Sequence, residues 1–151
     1  MLFIATTIHL IAGTIWVGGM FFAYVILRPG SVKILEPELR LQLWNYCFSR
    51  FFNWIWVIVI CTPISGYFIN SHNSSFIQES DFQNLLMQAV GWIMVGIFIF
   101  VFFFPYKKFK FSVIEKNFVV ASQQLNIIRK FIAINLALGI SNLFIAGSLQ
   151  F

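Results

Sequence analysis

His9 lies inside a long apolar run, HLIAGTIWVGGMFF, spanning residues 9–22. Imidazole is the most versatile side chain in that run: it shuttles protons and ligates iron or copper. On a helix, positions three, four and seven residues onward share its face. Those positions hold Ala12, Gly13 and Trp16, with Met20 beyond and Ala5 one turn before. A histidine set among small residues and closed by an indole leaves room for a flat ligand. The same small residues also let a neighbouring helix approach closely. An ionisable group within a membrane span is by default a functional-site candidate. The competing account is a neutral histidine that only hydrogen-bonds another helix.

His72 is the only other histidine. It falls just past the second apolar segment, and Met87 and Gln88 begin the third, on the same side as His9. A His/Met or His/His pair suits a heme iron. On that reading His9, Ala12, Gly13, Trp16, Met87 and Gln88 form a heme b pocket. Soft ligands suit copper(I), and on that reading His9, His72 and Met87 bind the metal. Against both stand plainer roles: His72 as a solvated loop residue, and Met87 as an unbranched gap-filler. Cys47 and Cys61 form no CxxC motif, so neither a disulfide nor a zinc site is expected. No phosphate loop, serine-nucleophile motif or buried carboxylate pair is present, so the chemistry of soluble hydrolases and nucleotide-binding enzymes is not expected.

The elements that position these residues follow from hydropathy. The chain has 151 residues, 60% hydrophobic and 10% charged, with 20 phenylalanines. Its mean hydropathy is +0.85. A soluble domain carries about 25% charged residues, so lipid is the solvent for much of this surface. Crossing a bilayer takes about 20 apolar residues. Four segments qualify, at about 2–27, 51–69, 85–104 and 131–149, ended in the first case by RPG and in the third by Pro105. None contains Asp, Glu, Lys or Arg. The first segment has no basic n-region and is too long for a signal-peptide core, so it is expected to be retained. His9 then sits about 12 Å along the first helix.

The net charge of +5 does not indicate nucleic acid, because the basic residues flank apolar runs and make no basic face. Arg28, Lys33, Arg40 and Arg50 lie between the first two segments. Lys107, Lys108, Lys110, Lys116, Arg129 and Lys130 lie between the last two. The middle loop carries Glu79 and Asp81 and no cation. The positive-inside rule therefore predicts cytoplasmic first and third loops, with both termini outside. In the first loop, the stretch after Pro37 aligns Leu39, Leu43, Tyr46 and Cys47, with Trp44 and Tyr46 as anchors. It predicts an amphipathic helix at the membrane interface. The third loop has a mixed pattern that extends helices three and four below the membrane. The predicted architecture is an all-α, single-domain, four-helix membrane bundle, N-out and C-out. In INLALGISN, Asn135 and Asn142 need partners from other helices.

The segment IHLIAGTIWVGGMFFAYVILRPG resembles the first helix of small bacterial membrane proteins of the copper-resistance D (CopD-like) family. The likeness continues through LWNYCFSRFFNWIWVIVICTPISGY, LMQAVGWIMVGIFIFVFFFPYKKFK and IRKFIAINLALGI, nearly the whole chain in order. The resemblance implies a multi-pass protein of the bacterial inner membrane. It implies two functions, copper handling and, through the related HemJ-type protoporphyrinogen oxidases, b-type heme held by a first-helix histidine, which His9 matches. The tyrosine–histidine pair and the NE motif associated with that oxidase group do not occur here. The ligand role thus carries over more readily than the reaction.

Three readings stand at this level. The first is a heme protein in electron transfer or heme metabolism, working with a membrane redox partner. The second is copper binding or transport. The third is a cofactor-free structural or assembly subunit, alone or as a homo-oligomer.

Overall fold

A computed structural model describes residues 1–72 and 80–148 of the chain. Among the described residues every regular element is helical. The elements are α1 (Leu2–Phe21), a π-helical turn (Phe22–Leu27), α2 (Arg28–Ile34), α3 (Pro37–His72), α4 (Ser80–Val101), a second π-helical turn (Phe102–Tyr106), α5 (Lys107–Ile114) and α6 (Phe118–Ser148). They make four helices long and apolar enough to cross a membrane: Leu2–Ile34, Pro37–Ser71, Phe82–Ile114 and Phe118–Gly147. The outward surface is strongly apolar. Phe3, Trp54 and Phe144 are among many large side chains left open for lipid.

The spans run past the predicted boundaries, and proline chemistry explains how. A proline inside a helix lacks an N–H and crowds the carbonyl four residues earlier. Read locally, RPG ends the first segment and Pro105 the third. Instead, a π-helical turn immediately precedes Arg28-Pro29, and another contains Pro105. The wider i→i+5 pairing shifts the backbone register there, and each helix continues. α3 begins with Pro37 in its first turn, where the absent N–H is not needed, and Arg40 N–H donates to Glu36 O at 2.9 Å. The stretch predicted as an interfacial helix runs without a break into the second span, with Leu41, Trp44 and Phe48 buried in the bundle and Leu39 and Tyr46 exposed. At 36 residues α3 is roughly 54 Å long, well beyond a hydrocarbon core of about 30 Å.

The α5–α6 turn is tight. Lys116 adopts a left-handed φ of 58°. Asn117 N–H donates to Ser112 O at 2.9 Å and Lys116 N–H to Val113 O at 3.2 Å, the paired bonds of a Schellman ending. Asn117 Oδ1 then accepts from Val120 N–H at 3.3 Å and caps α6.

α1 packs mainly on α3 and secondarily on α6, while α4 and α5 pack on α6. Close approach requires glycine at two crossings. A Cβ at Gly139 of α6 would lie 2.7 Å from Val17 Cγ2 and 3.2 Å from Met94 Cε. A Cβ at Gly19 of α1 would overlap the Phe51 ring. At the end of the bundle that carries the basic residues, aromatic rings fill the core. Phe48 and Phe52 stack at 5.2 Å, and Phe52 meets Tyr106 edge-on at 4.7 Å. Such pairs add about 0.5–1.5 kcal/mol each beyond simple burial.

Candidate functional site: the His9 corner

His9 is half-buried, and its ring faces the second span rather than the third. Pro63 explains why a polar group is welcome there. It interrupts the α3 ladder, and nearby hydroxyls cover neighbouring carbonyls, as happens at prolines in membrane helices. Thr62 Oγ1 donates to Ile58 O at 2.7 Å, and Ser65 Oγ donates to Cys61 O at 2.7 Å. His9 Nδ1 lies 3.1 Å from Thr62 O and 3.1 Å from Ser65 Oγ. A carbonyl oxygen only accepts, so Nδ1 must carry the proton and donate. The hydrogen of Ser65 is directed at Cys61 O, which leaves a Ser65 lone pair to share that donor. Gly66 completes the seat, since a Cβ there would stand 3.2 Å from His9 Cε1.

The tautomer follows. With the proton on Nδ1, the neutral ring presents its lone pair at Nε2. Among the described residues Nε2 has no hydrogen-bond partner. Histidines that ligate metals characteristically donate the other ring N–H to a carbonyl or carboxylate. The arrangement at this corner therefore fits a histidine that could ligate a metal through Nε2. A Cβ at Gly13 would meet nothing within 4 Å, so the helix face beside His9 is open. Ala12 is buried.

The other predicted residues are distributed more widely. Trp16 is buried, but it lines a separate cavity nearer the basic end. Met87 is half-buried on α4, where its carbonyl accepts from Asn142 Nδ2 at 3.2 Å. Gln88 is exposed. The structure thus keeps His9, Ala12 and Gly13 on one corner and holds Met87 and Gln88 on α4, which packs chiefly on α6. The middle loop with Glu79, and the side chains of His72 and Asp81, lie outside the described residues. Among the described residues no three His, Cys, Asp or Glu side chains gather as a metal site. Thr6 and Thr7, on the turn before His9, both donate to carbonyls of their own helix, at 3.1 and 2.8 Å.

Sequence reasoning missed Thr62, Ser65 and Gly66. The signal was CTPISG: a proline flanked by hydroxyls and a glycine inside an apolar span marks exposed carbonyls and a close approach. The asparagines behave as expected of amides in lipid. Asn135 Nδ2 reaches Met94 O at 3.4 Å, so both asparagines tie α6 to α4. Their Oδ1 atoms are buried without partners among the described residues.

Comparison with protein-family models, curated proteins and solved structures finds no match to this chain.

Proposed function

We propose that this chain is a bacterial inner-membrane protein, N-out and C-out, that binds b-type heme through His9 Nε2 in electron transfer or heme metabolism. One observation carries the reading: the Nδ1–H of His9 is engaged by Thr62 O, which directs the ring's lone pair to Nε2. The group would supply one-electron chemistry at iron. His9 would hold it, and Thr62, Ser65 and Gly66 would fix the ring's tautomer and orientation. An acceptor on the Nδ1–H also raises the basicity of the coordinating nitrogen. The orientation rests on the basic residues, all of which lie between the first and second or between the third and fourth apolar segments. On this orientation the exposed Leu39 and Tyr46 of α3 sit at the cytoplasmic interface.

The test is a heme titration of the full chain in detergent, with His9→Ala beside it. The account expects a Soret band in the wild type and none in the variant, with both proteins folded by circular dichroism. Equal spectra would overturn it.

A second reading draws on the same hydrogen bonds. His9 would then be a peg joining α1 to α3 in a cofactor-free subunit, and its loss would lower thermal stability with or without heme. Copper through His9, His72 and Met87 is the third. Its support is the soft donor types alone, and a copper titration run in parallel separates it.

A further inference from the structure

A second set of groups lies at the basic end of the bundle, away from His9. Arg129 of α6 stacks over the Trp44 ring of α3, its guanidinium carbon 5.0 Å from the centroid. Arg129 Nε and Nη2, Arg40 Nε and Trp44 Nε1 are all buried without a hydrogen-bond partner among the described residues. The Arg28 and Arg40 guanidiniums are both near enough to repel that of Arg129. Trp44 is 1% exposed, so water does not reach its N–H. Buried donors without acceptors are costly, and clustered like charges make the arrangement worse. An anion cancels both costs at once.

Trp44 also forms part of the wall of a cavity of about 400 Å³ among the four spans. That volume lies in the range of about 300–1,000 Å³ typical of ligand sites. Its walls are mostly apolar and include Trp16, Ala23, Phe52 and Phe98, with Arg50 also on the wall. Asn135, 4% exposed, contributes to the wall and leaves Oδ1 unpartnered. One side chain, Trp44, thus joins an apolar chamber to a cluster of cations whose buried N–H groups find no acceptor among the described residues.

We propose that this end of the bundle binds one anionic phospholipid, its phosphate on Arg129, Arg40 and Arg28 and an acyl chain in the cavity beside Trp44. Basic pockets between membrane helices on the cytoplasmic side hold anionic headgroups by this chemistry. Arginine suits the role because its planar fork pairs with phosphate oxygens. The site is independent of His9 and of any heme.

The test titrates the full chain, purified and delipidated in a neutral detergent, and reads bound mass by native mass spectrometry. The probes are phosphatidylglycerol, phosphatidylcholine and inorganic phosphate. The wild type should retain one phosphatidylglycerol about tenfold more tightly than phosphatidylcholine. Arg129→Gln and Arg40→Gln should each erase most of that preference, and Ala23→Trp, which fills the cavity, should weaken both lipids. Equal retention of the two lipids by the wild type would overturn the proposal, and that comparison needs no variant to fold. Displacement of the lipid by inorganic phosphate, with Ala23→Trp behaving as wild type, would also overturn it and assign the arginines to a free anion.

Discussion

The two ends of this bundle handle buried polarity in opposite ways. At the His9 corner each polar hydrogen has an acceptor within the protein. Thr62, Ser65 and His9 all donate to carbonyls around Pro63, and what remains is one lone pair, at Nε2. At the Trp44 end, Arg129, Arg40 and Trp44 keep buried N–H groups without partners among the described residues. A satisfied site with a spare acceptor suits a Lewis acid such as iron. An unsatisfied site with spare donors suits an anion. Composition alone does not separate the two, since both are islands of a few polar atoms in an apolar bundle.

The comparison breaks most visibly through His9→Ala. That change should abolish all heme absorbance while lowering stability by only about 1 kcal/mol, the worth of one interhelical hydrogen bond. Lipid selectivity at the Trp44 end should stay as in the wild type, because His9 touches none of those groups. Gly139→Leu strikes neither end directly but the crossing of α6 with α1 and α4, by pressing on Val17 and Met94. It should cost about 1–3 kcal/mol of thermal stability, as overpacking does. Gly66→Ala sharpens the picture at one corner. The new methyl presses on His9 Cε1, so the heme spectrum should shift, with a stability loss of about 1 kcal/mol. Lys116→Gly serves as a control remote from His9. It relieves a left-handed backbone that a β-carbon disfavours and should raise stability by about 1 kcal/mol, with spectrum and lipid preference unchanged.

Four long apolar runs free of charge were enough to read four helices able to cross a membrane, because a single unbroken run satisfies its backbone in hydrocarbon only as a helix. Their ends were not legible in the same way. Pro105 and Arg28-Pro29-Gly30 read locally as stops, and only packing against neighbouring helices selects the π-helical turns that carry the chain through them. Helical periodicity placed Ala12 and Gly13 on the face of His9. It did not say which helix that face meets, and the ring turns to Thr62 and Ser65, more than fifty positions away in sequence. Arg129 over Trp44 was invisible for the same reason. Each residue alone reads as an interfacial anchor, and the anion-seeking cluster exists only once α3 and α6 are side by side.

The most direct measurement is the resonance Raman spectrum of the ferrous, heme-loaded protein, read at the iron–histidine stretching mode. Ligation through Nε2 of His9 predicts that mode in the wild type, a shift when Ser65→Ala weakens the bonding at Nδ1, and its loss in His9→Ala. Heme that binds without the mode, or a mode that persists in His9→Ala, would contradict the account.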